Sequence, residues 1–134
     1  MIAVDTSVVV AAFASWHEAN RAAVAVLLKK PRIPAHVLVE TYSVLTRLPP
    51  PHRAASWIVV DFLSRSFPQA PLTLPAPAWR NLLEQVAEAG IAGGAAYDAL
   101  IGATARHAKA TLLTRDRRAT AIYEKLGVSY ELVL

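Results

Sequence analysis

Short apolar runs bounded by prolines or turn residues alternate with longer helical stretches along this chain. That alternation restricts the fold more than any other feature. Ile2-Ala3-Val4 reads as a buried strand that breaks at Asp5-Thr6-Ser7 into a helix. Ala19, Ala23, Val26 and Leu27 predict a helix from Trp16 to Lys30, stopped by Pro31. Arg32-Ile33-Pro34 reads as a short edge-like strand, a setting that tolerates proline. His36 to Leu48 is expected as a helix ended by Pro49-Pro50-Pro51, and His52 to Phe67 as another. Leu72-Thr73-Leu74 is a strand between prolines. Trp79, Leu82, Leu83, Val86 and Ala87 share one side of a helix over Ala76 to Ala89, with Gly90 as its C-cap. A helix from Ala95 to Lys109, a strand Thr111 to Thr114, a helix Asp116 to Leu126 and a strand Ser129 to Val133 complete the pattern. Strands joined through helices pair in parallel by βαβ crossovers, which makes the class α/β.

The 134 residues suit one domain over 1–134 with its own core. Neither an internal repeat nor a linker interrupts them. The chain has no cysteine, which removes disulfides, thiolate zinc sites and a cysteine nucleophile. At 54% apolar and 18% charged it is not disordered in composition. No apolar run approaches the ~18 residues of a membrane span. The N-terminus lacks the basic flank of a secretory signal. A soluble, cytoplasmic protein is expected.

The net charge of +4 is unevenly placed. Arg106, Lys109, Arg115, Arg117, Arg118 and Lys125 face only Asp116 and Glu124 in the same segment, and elsewhere bases and acids balance at eight each. Localised positive charge suits a polyanion, although a solvated face has the same composition.

Three acids sit in apolar surroundings. Asp5 is the only charged residue between Met1 and Trp16. On a helix, Glu40 shares a face with Val37 and Val44, and Asp98 with Ala95, Ile101 and Gly102. A carboxylate there is costly unless it is protonated or held by a cation. Asp5 can instead cap the helix that follows it, and Glu40 can pair with Arg47. Asp116 follows the strand Thr111–Thr114, as Asp5 follows the first strand. It reads as an N-cap and also as a second acid at the carboxyl edge of a parallel sheet, where ligands bind at the reversal of strand order. Four carboxylates in one crevice would repel by ~4 kcal/mol per pair at ~4 Å. Oxygen ligands without cysteine select Mg²⁺ or Mn²⁺ over zinc.

At these residues the chain resembles a PIN-domain ribonuclease, and more narrowly the VapC-type toxins of bacterial toxin–antitoxin pairs. The resemblance is carried by Val4-Asp5-Thr6-Ser7, Glu40, Tyr97-Asp98-Ala99-Leu100-Ile101 and Leu113-Thr114-Arg115-Asp116, in that order over nearly the whole chain. It implies a three-layer fold, with a parallel sheet of about five strands and helices on both faces. It implies that Asp5, Glu40, Asp98 and Asp116 are the catalytic metal ligands, with Thr6 and Thr114 in support. It further implies a cognate antitoxin and a toxin homodimer. Many relatives carry another acid soon after the fourth motif, where Arg117 and Arg118 stand here; that departure bears on a second metal, not the first.

The expected activity is hydrolysis of RNA phosphodiesters with bound Mg²⁺ or Mn²⁺, leaving 5′-phosphate and 3′-hydroxyl ends. Arg115, Arg117, Lys109 and Arg106 are candidate phosphate contacts. His17, His36, His52 and His107 are scattered and read as surface or helix-end residues. Trp16, Trp57 and Trp79 read as core or interface anchors. The alternatives are a phosphoacceptor signalling module, for which Thr6 stands where an adjacent acid is wanted, and an inactive binding protein of the same fold. A haloacid-dehalogenase-type phosphatase would need an acid at Ser7.

Overall fold

The computed structural model describes all 134 residues. Its elements are β1 (Ile2–Val4), α1 (Thr6–Phe13), α2 (Asn20–Leu27), α3 (Ala35–Thr46), α4 (Ser56–Ser66), α5 (Trp79–Glu88), α6 (Ala95–His107), β2 (Thr111–Thr114), α7 (Arg117–Lys125) and β3 (Tyr130–Leu132). A single 3₁₀ turn, Ala76–Ala78, leads into α5.

The three strands form a parallel sheet in the order β1-β2-β3, with Val4 opposite Leu113 and Thr114 opposite Leu132. The two other expected strands join it as isolated bridges only, Ala3 to Arg32 and Pro34 to Leu72. Prolines explain the brevity. Pro31 and Pro34 flank one segment and Pro71 and Pro75 the other, and none of them can donate to a ladder. Read outward from Leu72, the spatial order is Leu72, the Arg32–Pro34 segment, β1, β2, β3. The chain therefore builds one way from β1, then returns and builds the other way from β2. Right-handed crossovers place α1 to α4 on one face and α5 to α7 on the other, giving three layers. The reversal of strand order falls between β1 and β2.

Ala3, Val4, Leu112 and Leu113 are buried on both faces of the sheet, as parallel strands require. The core extends from them to Val8 and Val9 of α1, Val37 and Leu45 of α3, Ile101 of α6 and Tyr123 of α7. No helix is long and apolar enough to cross a membrane.

Several elements start later than their pattern predicts. Trp16 to Ala19 form turns rather than the first turn of a helix, because Asn20 folds back and donates its amide to the carbonyls of Ala11 and Ala12 at 2.9 and 3.1 Å. His52 to Ala55 are likewise outside α4, since Arg53 Nε donates to Leu48 O and Ala54 N to Leu45 O. The tryptophans are not core residues: Trp16, Trp57 and Trp79 are all exposed. Leu83 and Ala87 are exposed too, which leaves α5 a narrower apolar face of Leu82 and Val86.

A candidate acid crevice at the carboxyl edge of the sheet

β1 and β2 end side by side, and an acid follows each. Asp5 is the N-cap of α1, its Oδ1 accepting from Ser7 N at 3.1 Å. Asp116 is the N-cap of α7, its Oδ1 accepting from Arg118 N at 2.9 Å. Both local readings of these residues are therefore correct, and both acids also stand at the strand-order reversal.

Asp5 is only 3% exposed. Ser7 Oγ donates to its Oδ1 at 2.5 Å, and the buried Tyr123 hydroxyl donates to its Oδ2 at 2.9 Å. Burial pushes the Asp5 carboxyl up from its ordinary proton affinity, while hydrogen bonds from Ser7, Thr114 and Tyr123 pull it down. Ser7 Oγ also accepts the Arg115 N–H at 2.8 Å, and Thr114 Oγ1 accepts from Asp116 N at 3.0 Å. One hydroxyl pair thus ties the start of α1 to the end of β2. Thr6, by contrast, has a buried hydroxyl with no partner at all.

Glu40 projects from the middle of α3. Its partner is His36, whose Nε2 lies 3.3 Å from Oε2, and not Arg47, which donates to Ser43. Glu40, Asp116, Thr6, Ser7 and Arg115 line a cavity of about 500 Å³, joined by His17 and Glu18 from the turn before α2. Asp98, in the first turn of α6, lies outside that lining but within reach of its charge. Burial raises its carboxyl first, and the Asp116, Glu40 and Asp5 carboxylates raise it further, to about 6; His36 pulls it down. All three other acids therefore act on the charge of Asp98.

The expected supporting residues Thr6 and Thr114 are both in this region. Of the expected phosphate contacts, Arg115 lines the cavity, donating through Nη1 to Val133 O at 2.9 Å, and Arg117 is exposed in the first turn of α7. Arg106 and Lys109 are elsewhere. Arg106 is at the other end of α6, about 12 Å along the helix from Asp98 at 1.5 Å per residue, where its Nη1 donates to Leu126 O, and Lys109 follows the helix. The structure does not bring them to the acids. The histidines are less scattered than their spacing suggests, since His17 and His36 both reach the crevice.

Ser7, Tyr123, His36 and Glu18 also belong to this region; Ser7 stands in the Val4-Asp5-Thr6-Ser7 motif without a role assigned to it, and the other three carry no clear mark in the sequence. Ser7 had one available sign, its place two residues after Asp5. Tyr123 had none, because its contact spans 118 residues. Its ring reaches Asp5 past Gly102 of α6, where a Cβ would stand 3.0 Å from Tyr123 Cδ1 and 3.1 Å from Val128 Cγ2.

The donor set fits a hard dication. It is built of oxygen, it includes an orphaned hydroxyl at Thr6, and burial and like charge already disfavour the ionised Asp98. No three acidic or imidazole groups converge closely enough to enclose an ion by themselves.

Comparison with known proteins agrees with this architecture. The PIN domain family matches residues 2–125. The chain is 53% identical over 133 residues to Ribonuclease VapC40 of Mycobacterium tuberculosis, covering 99% of both chains. It is 42% identical over 128 residues to Ribonuclease VapC27 of the same organism, covering 95% of this chain and 93% of that one. Its fold matches the structure of VapBC2 from Rickettsia felis bound to a DNA fragment from their promoter, with a TM-score of 0.67 at 18% identity, over 98% of each chain.

Proposed function

The chain belongs to the PIN domain family and is a ribonuclease of the VapC type, and from that membership we propose that it is a Mg²⁺- or Mn²⁺-dependent endoribonuclease serving as the toxin of a toxin–antitoxin pair. One arrangement supports the metal dependence: Asp5 and Asp116 follow the paired strands β1 and β2, and Glu40 of α3 lines the same cavity as Asp116. The 134 residues act as one catalytic domain.

In this reading Asp5, Glu40, Asp98 and Asp116 hold the dication. When bound, it supplies charge neutralisation for the phosphodiester and activation of the attacking water. The chain's own residues set the stage. Ser7, Thr114 and Tyr123 fix the orientation of Asp5, so that one carboxylate is ordered before any ion arrives. Thr6 offers its unpaired hydroxyl at the same end of α1. In the same reading Arg115, which lines the crevice, and Arg117, exposed in the first turn of α7, take the phosphates beside the cleaved bond. In the same reading Arg106 and Lys109, away from the acids, take phosphates further along the RNA.

Exposed Val39, Tyr42, Trp57 and Ile58 on α3 and α4 support a second copy of the chain. An apolar cavity of about 340 Å³ between the ends of α2 and α4, lined by Leu27, Leu28, Ile33 and Phe67, supports a protein partner such as an antitoxin.

The test is cleavage of total RNA by the purified protein in Mg²⁺ or Mn²⁺ and in EDTA, with the new ends mapped. Dication-dependent cuts with 5′-phosphate and 3′-hydroxyl ends, lost in Asp5→Asn and Asp98→Asn, are expected. Cyclic 2′,3′-phosphate ends, or full activity in EDTA, would overturn the proposal.

A further inference from the structure

Two rings from different helices lie face to face beside the acids. His36 of α3 and Tyr97 of α6 have centroids 5.2 Å apart and planes within 2° of parallel. His36 touches Glu40, and Tyr97 immediately precedes Asp98. Tyr97 is nevertheless 56% exposed, so its ring contributes little to the core. His36 covers one side of it, and much of the rest is open to water. An exposed, flat, pre-stacked aromatic surface next to a phosphodiester site is what an unstacked nucleobase packs against, whatever its identity.

We propose that Tyr97, backed by His36, is the platform on which an unpaired base of the RNA rests beside the crevice, making the pair a specificity-determining contact. The inference depends on the nuclease reading above and requires that the base Tyr97 meets be unpaired. Base pairing buries the faces of a base in the helical stack, so a duplex cannot use this surface. Stacking also fixes the distance between the base and its own phosphate, and Tyr97 is the immediate neighbour of Asp98.

The test uses single-stranded oligoribonucleotides containing 2-aminopurine, whose emission falls when the base stacks on a ring. Binding is measured in Ca²⁺ and in EDTA with the wild-type chain, Tyr97→Ala and Tyr97→Phe. The wild-type chain should quench the emission. Tyr97→Ala should lose the quenching and weaken binding roughly 5- to 150-fold, the range of one base–aromatic stack. Tyr97→Phe keeps the ring and should restore both. The same sequence as a duplex should not be quenched. Equal quenching and affinity in Tyr97→Ala, or equal quenching of the duplex, overturns the platform. No binding by the wild-type chain in either condition overturns it as well. Quenching that disappears with Tyr97→Ala, in a protein that never cleaves RNA, supports the platform and overturns the nuclease reading instead.

Discussion

The Tyr123 hydroxyl donates to Asp5 Oδ2 across 2.9 Å, joining α7 to the first residue after β1 inside the core. The Tyr123 ring is fully buried, and burial followed by the nearby Asp5 charge pushes its phenol far up, so the proton stays on the donor. Tyr123→Phe keeps the ring and deletes the bond. A buried carboxylate that loses a donor costs about 1–3 kcal/mol. Urea unfolding at neutral pH should show a loss of that order, shrinking in acid where Asp5 is protonated. An unchanged midpoint would mean that the contact does not matter to the fold.

Gly102 makes that contact possible. A methyl at Gly102 stands 3.0 Å from the Tyr123 ring, which is hemmed in by the core and tied to Asp5. Overpacking costs about 1–3 kcal/mol, against about 1 kcal/mol gained in helix propensity. Gly102→Ala should therefore lower stability by about 1 kcal/mol in chemical denaturation. A more stable variant would show that the ring can move aside.

The two hydroxyls at the start of α1 should respond in opposite ways. Ser7 Oγ serves Asp5 and the Arg115 N–H together, so Ser7→Ala should cost about 1–3 kcal/mol. The buried Thr6 hydroxyl has no partner in the fold, so Thr6→Val should leave stability unchanged or raise it while reducing RNA cleavage. Thermal melts and cleavage rates of the two variants separate these roles. A Thr6→Val chain with wild-type cleavage would remove Thr6 from the site.

Much of this arrangement is legible in the sequence, because it rests on local rules. The runs Ile2–Val4 and Thr111–Thr114 mark strands that end in Asp5 and Asp116, and helix spacing puts Glu40 and Asp98 on apolar faces. Where distant groups compete with local pattern, the reading changes. Asn20 caps α1 from outside and postpones α2, and prolines around Arg32–Pro34 and Leu72–Leu74 shrink two strands to single bridges. Tyr123 and Asp5, or Tyr97 and His36, meet only through tertiary packing, and a single chain of letters carries no sign of such pairs. Of the two expectations for the three tryptophans, core or interface anchors, the core one fails, because size and apolarity alone do not fix which face of a helix meets the core.

Asp98 gives the acid cluster a signature in pH. Its carboxyl rises from 3.8 in the unfolded chain to about 6 in the fold, so the folded state binds the proton more tightly. Stability from this group is complete below the lower value and is lost as pH rises through the upper one. Without dications, Asp98→Asn should become progressively more stable than the wild-type chain between pH about 4 and 6, and stay so above. Mg²⁺ should narrow the difference by stabilising the ionised wild-type cluster. Urea midpoints of both proteins across that range provide the measurement, and a constant difference would contradict the account.

The most direct measurement is calorimetric titration of Mn²⁺ into the purified chain and into Asp98→Asn and Asp5→Asn. A saturable binding event in the wild-type protein that is lost or strongly weakened in both variants is the predicted result. Equal binding by all three proteins, or none by the wild-type chain, would contradict the claim that these acids form one dication site.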